Sequence, residues 1–209
     1  MTFVDKKKEM DTRELQSALR GRIGPYVEYK GVYTSDQLPV YLSNSCPIAF
    51  ISNTLESKAD ISTVGHWVAF YIEFAPIKKV LFFDSYGLLP DVYSSYYSDY
   101  IHNSYSNFSI QDFGVQLQPN SSHKCGMYVL HFIHFLSHHG VDKYISFFHS
   151  QFNPKNLTLN DSIVTRYYFN YLNRSKSCVY WKHGSKRAIT YAECKKYNRN
   201  NNNKNNSIR

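Results

Sequence analysis

The segment from Cys125 to His139 constrains the fold of this chain more than any other feature of its sequence. It follows a turn-rich stretch at residues 119–122, ends at Gly140, and carries apolar residues on nearly every side when wound as a helix. A helix of that kind is stable only when other elements surround it. The sequence therefore predicts a central, buried helix whose first residue is a cysteine.

The composition fits one globular domain around such a helix. Of 209 residues, 43% are hydrophobic and 17% aromatic, which is enough to bury a sizeable core. We predict one folded domain over residues 1–196, followed at 197–209 by a disordered tail that is basic and rich in asparagine. Residues 1–13 are charged and lack a secretory signal, and no apolar run reaches the roughly 20 residues of a membrane span. An intracellular protein without a membrane anchor is expected.

Short apolar runs alternate with longer amphipathic ones along the chain. The short runs predict strands at residues 47–53, 66–74, 79–84 and 113–117, of which the second and third form a hairpin. The longer runs predict helices at residues 12–19, 91–105, 125–139, 142–152 and 158–173. This mixture indicates an α+β fold in which a small sheet packs against helices.

Four polar side chains lie where predicted elements begin or end: His66, Asp84, Gln118 and Cys125. A thiol is a weak nucleophile unless its thiolate is stabilised, and the first turn of a helix and a neighbouring imidazolium both do so. His66 opens one strand of the predicted hairpin and Asp84 closes the other, so the carboxylate can orient the imidazole towards the thiol. Gln118, seven residues before the cysteine, can direct its amide N–H at the carbonyl that the thiol attacks, beside the backbone N–H of Cys125.

Each of these residues also has a plainer interpretation. A single cysteine in an apolar helix is usually a small buried hydrophobe, and a histidine before a tryptophan is usually structural. Asp84 before Ser85 is equally suited to capping a turn. Gln118 alone indicates almost nothing.

Three segments together resemble the catalytic blocks of the adenovirus protease family, which is related to the SUMO-specific proteases. They are Gly-His-Trp-Val-Ala-Phe at 65–70, Phe-Asp-Ser-Tyr-Gly at 83–87, and Gln-Pro-Asn-Ser to Cys-Gly-Met at 118–127; residues 24–39 resemble the family's N-terminal region. The resemblance implies an α+β thiol protease with His66 as base, Asp84 as its orienting acid, Gln118 at the oxyanion and Cys125 as nucleophile. Asp84 stands where adenoviral members have Glu, and Lys124 stands where many SUMO proteases have Asp.

The resemblance also implies a substrate class. Family members cleave beside glycine, so a cysteine endopeptidase acting on viral or virus-like precursor proteins is expected, with Trp67 as a wall of a narrow cleft. It implies a monomer found in the host nucleus and the virion, with no cofactor needed for the chemistry and with stimulation by DNA or an activating peptide. Two alternatives stay open: a catalytically silent nucleic-acid-binding or virion structural protein on the same fold, and a deSUMOylase or deubiquitinase.

The charge is concentrated at the C-terminal end of the chain. Residues 174–209 contain ten Lys or Arg and one acid, so this segment has a net charge of +9. The whole chain has a net charge of +8, so residues 1–173 have a net charge of −1. A basic end of this kind predicts contact with a polyanion such as DNA, although a merely solubilising tail is an equal alternative. Residues 104–116 contain no cysteine, so the disulfide that anchors the activating peptide of adenoviral relatives cannot form there.

Metal binding is the weaker interpretation of the remaining histidines and cysteines. His134 and His138 have the spacing of a helical metal pair but no third ligand, and are expected to be surface histidines. Cys178, His183 and Cys194 are irregularly spaced candidates for a structural zinc. Because no secretory signal is present, we expect the cysteines, Cys46 included, to be free thiols. We expect no metal site.

Overall fold

The computed structural model describes residues 9–41, 46–60, 63 and 65–173, together with the backbone of residues 177–182 and 185–190. The helices are α1 (Thr12–Leu19), α2 (Pro90–Tyr93), α3 (Ser95–Tyr105), α4 (Cys125–His139), α5 (Val141–Gln151) and α6 (Leu157–Tyr167), the last continued by a π-helical turn at Tyr168–Leu172. The strands are β1 (Glu28–Thr34), β2 (Ile48–Asn53), β3 (Trp67–Glu73), β4 (Lys79–Phe83), β5 (Ser109–Asp112), β6 (Ser177–Lys182) and β7 (Ser185–Thr190).

The first five strands form one mixed sheet in the order β1-β2-β3-β4-β5. The three central strands are antiparallel to one another, whereas β1 and β5 lie parallel to their neighbours at the two edges. Residues of β2, β3 and β4 are buried on both faces, which explains why these strands are continuous apolar runs rather than alternating ones.

Alternate side chains of the central strands serve two different layers. Phe50, Phe70 and Phe82 pack with the tyrosines of α3 on one face of the sheet. On the other face α4 packs against β3 and β2, and Phe83 of β4 stacks on Phe132 of α4 with ring centroids 4.6 Å apart. The helix that begins at Cys125 is therefore the central helix, and its first residue is fixed relative to the ends of β3 and β4.

Most predicted elements are confirmed, including α1, α4, α5 and the hairpin of β3 and β4. The predicted helix over 91–105 is divided in two by Ser94, whose extended backbone and side chain cap α3. The predicted strand at 113–117 is wrong, because the strand of this region is β5, which ends at Asp112. Beyond it Gly114 adopts a positive φ of 52°, and the N–H groups of Leu117 and Gln118 both donate to the Ser85 carbonyl. Strand β1 was not predicted.

The chain divides into two compact units, residues 1–168 and 169–209. In the second unit the described backbone contains an antiparallel pair, β6 and β7. The predicted domain boundary at residue 196 and the tail at 197–209 lie outside the described residues. Within the described part of the chain, every helix is too short or too polar to cross a membrane.

Candidate active site

The fold brings His66, Asp84, Gln118 and Cys125 to one end of the sheet. His66 directly precedes β3 and Asp84 directly follows β4, and the antiparallel pairing of Ala69 with Phe83 places both residues at the same edge. Cys125 opens α4, which packs on this part of the sheet. All four residues that the sequence singled out are thus near neighbours or linked through common hydrogen-bond partners.

Asp84 holds the imidazole of His66 in one orientation. Its Oδ1 lies 2.5 Å from Nε2 of His66 and also accepts the backbone N–H of Tyr86 at 3.1 Å. Its Oδ2 accepts from the Leu88 N–H and from the Tyr93 hydroxyl, each at 2.8 Å. The carboxylate is only 3% exposed, so these four donors fix it. With Nε2 on Asp84, Nδ1 is the ring nitrogen left for the thiol.

The surroundings of His66 favour its protonated form. Burial by itself lowers the pKa of the imidazole, but hydrogen bonds and charge interactions with Asp84 and Cys125 outweigh burial and raise that pKa to about 9. The rings of Tyr86 and Tyr93 lie nearly parallel to the imidazole, with centroids 4.6 and 5.4 Å away, and their π faces also favour a cation. At neutral pH an imidazolium therefore faces the sulfur of Cys125.

Cys125 combines burial with a helix N-terminus. Its exposed fraction is 4%, and as the first residue of α4 it has a backbone N–H without a partner inside the helix. The first carbonyl of that turn belongs to Lys124, which accepts from Met127 and Tyr128. Cys125 therefore lies at the positive end of the α4 dipole.

The side chain of Gln118 is completely buried and its orientation is fixed. Its Oε1 accepts from the Ser85 hydroxyl at 2.7 Å, and its Nε2 donates to the Ser122 carbonyl at 2.8 Å. Because a carbonyl can only accept, the second of these bonds identifies the nitrogen end of the amide. The remaining amide hydrogen is directed at the Tyr86 hydroxyl, 3.3 Å from Nε2.

The segment before α1 forms one wall beside the nucleophile. The indole N–H of Trp67 donates to the Met10 carbonyl at 2.8 Å, and Glu9 accepts from His123 at 2.8 Å. Next to the nucleophile, a Cβ at Gly126 would lie 3.0 Å from Cβ of Met10, so only glycine fits without displacing this wall. Trp67 itself is 6% exposed.

A cavity of about 400 Å³ opens beside the start of α4. Its lining includes Met10, Ser122, Lys124, Met127 and Asp161. Nζ of Lys124 lies 3.6 Å from Oδ2 of Asp161, which places a partly exposed ion pair in the wall. Its lining includes residues on both sides of Cys125 in the sequence, and its volume offers room for part of a bound chain.

The histidines of α4 do not form a metal site with other described residues. The expected surface position is wrong for His134, which is buried and whose Nδ1 lies 2.7 Å from the Tyr167 hydroxyl. His138 is exposed, and its Nε2 lies 2.8 Å from the Arg22 carbonyl. In the part of the chain that the structure describes, no group of three or more His, Cys, Asp or Glu side chains is placed to hold a metal. Cys46 and Cys125 are free thiols, whereas the side chains of Cys178, His183 and Cys194 lie outside the described residues.

Sequence reasoning missed several residues that complete the site. Tyr93 orients Asp84, Ser85 orients Gln118, Tyr86 contacts both His66 and Gln118, and Met10 borders Trp67. Ser85 and Tyr86 carried a signal, since they follow Asp84 directly inside a recognisable block. No feature of the sequence marks Met10 or Tyr93.

Comparison with known proteins adds a family. The profile of the Ulp1 protease family, C-terminal catalytic domain, matches residues 61–168. Two similar solved structures are the ASFV pS273R protease, with 12% identity and a TM-score of 0.41 over 69% of this chain, and the central domain of the uncharacterized Lpg1148 protein from Legionella pneumophila, with 14% identity and a TM-score of 0.41 over 76%. The match spans 58% of the ASFV chain and 90% of the Legionella chain. No curated protein sequence matches significantly.

Proposed function

Because the chain belongs to the Ulp1 protease family it is a cysteine peptidase, and we propose that it is an endopeptidase in which Cys125 is the nucleophile. In this proposal His66 is the base and acid, Asp84 orients it, and Gln118 and the Cys125 backbone N–H bind the oxyanion. The observation that carries the proposal is the His66 ring, which is hydrogen-bonded to Asp84 through Nε2 and whose pKa is raised by its interactions with Asp84 and Cys125. Peptidases of this family need no cofactor for the reaction.

The proposed reaction has two steps. The Cys125 sulfur attacks the scissile carbonyl carbon, and the oxygen takes the electron pair. When the C–N bond breaks, the imidazolium of His66 gives its proton to the leaving amine and a thioester remains. Water then attacks the thioester while His66 takes a proton from it, and the sulfur leaves as thiolate with release of the acid.

Substitution of the two central residues tests this assignment. Cys125→Ala and His66→Ala should each abolish peptide cleavage, because nucleophile and base act as one unit. A peptide with an electrophilic warhead should label the parent protein and not Cys125→Ala. Cys46→Ala is the matched control, since Cys46 is the other free thiol among described residues and lies outside the site. Full cleavage by a Cys125→Ala variant with the circular dichroism of the parent would reject the assignment.

For the substrate, we propose viral or virus-like precursor proteins cut beside glycine, as in the adenoviral branch that the motifs resemble. The support is steric: a Cβ on Gly126, next to the nucleophile, would lie 3.0 Å from Met10, and the Met10 carbonyl is held by the indole N–H of Trp67. Cleavage of a peptide library should select glycine before the scissile bond. Selection of a bulky residue there would reject this specificity, and efficient cleavage only of folded SUMO or ubiquitin fusions would favour the deSUMOylase or deubiquitinase alternative.

The partners and location remain proposals from the sequence. We propose a monomer of the host nucleus and virion that binds DNA through its basic end and works without a disulfide-bound peptide. Its support is the excess of Lys and Arg beyond residue 173 and the absence of cysteine from residues 104–116. A non-enzymatic nucleic-acid-binding protein would also bind DNA, but Cys125 would then resist the warhead.

A further inference from the structure

The buried amide of Gln118 does not face the cleft directly. None of the Gln118 side chain is exposed, and one amide hydrogen is used by the Ser122 carbonyl. The other points at the Tyr86 hydroxyl. A substrate oxygen that is to benefit from Gln118 must either displace this hydroxyl or be bound by it.

Three contacts hold Tyr86 next to His66, Asp84 and Gln118. Its ring stacks on His66 at 4.6 Å and its backbone N–H donates to Asp84. Its oxygen lies 3.3 Å from Nε2 of Gln118. Burial, followed by the negative charge of Cys125, raises the pKa of the phenol, so it stays protonated. Within the described residues, no acceptor lies in hydrogen-bonding geometry for its proton, so its O–H is available to a ligand.

We propose that the Tyr86 hydroxyl is a catalytic donor to the oxyanion and that Gln118 acts partly through it. The Gln118 N–H donates to the phenol oxygen, and a hydroxyl that accepts one hydrogen bond becomes a stronger donor in the next. As negative charge develops on the carbonyl oxygen, the Tyr86 O–H and the Cys125 N–H bind it together. No proton is transferred, so the phenol is unchanged after each turnover. This inference rests on the proposed peptidase function.

Tyr86→Phe removes the hydroxyl and keeps the ring against His66. We expect kcat to fall by about 10- to 100-fold with little change in KM, since the lost bond strengthens only in the transition state. The alkaline limb of the pH profile should stay at the parent position, because the contacts of His66 are intact. Tyr26→Phe is the control, since Tyr26 is 56% exposed and outside the site. A kcat in Tyr86→Phe that equals or exceeds that of the parent would overturn the proposal. It would mean that the hydroxyl only occupies space in the cleft.

A second measurement does not depend on peptide cleavage. A peptide aldehyde forms a tetrahedral hemithioacetal with Cys125 and needs the oxyanion donors, whereas alkylation by iodoacetamide forms no oxyanion. We expect Tyr86→Phe to bind the aldehyde at least about tenfold more weakly and to be alkylated at the parent rate. Weaker aldehyde binding in a protein that cleaves no peptide would support the donor while the peptidase proposal fails. Equal aldehyde binding in an active peptidase would overturn the donor alone.

Discussion

His66 Nε2 lies 2.5 Å from Asp84 Oδ1, and three further donors hold that carboxylate in place. Asp84→Asn keeps the size of the side chain but presents an N–H where an acceptor is needed, which disfavours the productive tautomer of His66. We expect kcat/KM to fall by about 10³- to 10⁴-fold with residual activity and an unchanged fold. The exposed Asp91→Asn is the control. A loss below tenfold in Asp84→Asn would show that Asp84 only caps a turn.

The raised pKa of His66 predicts the alkaline limit of activity. The imidazolium holds its proton up to about pH 9, so kcat/KM should decline above that value. The same raised pKa contributes folding stability that is fully present below about 6.5, the ordinary pKa of histidine, and is lost as the pH rises through about 9. In Asp84→Asn the alkaline limb should move towards 6.5. A parent limb near 6.5 in a pH–rate profile would contradict the prediction.

One of the two buried histidines of α4, His131, predicts sensitivity to acid. His131 is fully buried without a hydrogen bond at either ring nitrogen, and burial, with a smaller contribution from His134, lowers its pKa to about 3. Below about pH 6.5 His131 binds a proton in the unfolded chain but stays neutral in the folded chain, so the free energy of unfolding falls. His131→Leu should remove about 2 kcal/mol of the loss between pH 7 and 5. Urea denaturation at both pH values measures this, with the exposed His102→Leu as control; identical pH slopes in parent and His131→Leu would be incompatible with it.

Substitution of two glycines should distinguish the cost of backbone strain from the cost of a steric clash. Gly87 and Gly140 have similar positive φ values, 71° and 79°. A Cβ on Gly140 meets nothing within 4 Å, whereas one on Gly87 lies 2.4 Å from the carbonyl carbon of Val115. Gly140→Ala should therefore cost about 1–3 kcal/mol of backbone strain alone, and Gly87→Ala clearly more, with loss of activity because the displaced segment leads to Gln118. Equal unfolding free energies in the two variants would show that the loop yields freely.

DNA binding through the basic end should depend steeply on salt. If five cations contact phosphates, affinity should fall on the order of several hundredfold between about 50 and 200 mM salt, because counterions are released. Neutralising Lys182, Lys186, Arg187, Lys195 and Lys196 should remove most of this dependence. Turnover in reducing buffer, with and without duplex DNA, tests activation at the same time. Unchanged DNA affinity in the neutralised variant would mean that the basic end is only solubilising.

Features that depend on residue type could be predicted from the sequence, whereas features that depend on the path of the chain could not. The start of α4 at Cys125 follows from the preceding turn and the apolar run. The apolar side chains of Phe113, Val115 and Leu117 alternate as in a strand, but the segment is not one. Phe113 packs on Phe148 with ring centroids 4.6 Å apart, and Leu117 is buried. The true strand, β5, is an edge strand with exposed side chains, which leave no alternating pattern.

The same limit applies within the site. The types and order of His66, Asp84 and Cys125 are enough by themselves to indicate a base, an acid and a nucleophile. The contacts of Tyr86 depend on the direction in which the chain turns after β4, and no periodicity encodes that direction. Residues that position or extend a site therefore become recognisable only in the folded chain.

The contact between Trp67 and Met10 joins residues 57 positions apart and lies partly outside the matched segment, residues 61–168. That segment supplies all four polar residues of the site but only one side of the opening beside Cys125. The opening beside Cys125 is consequently bounded in part by residues that precede the matched family segment. A substitution at Met10 would therefore change the boundary of this opening while all four polar residues of the site stayed in place.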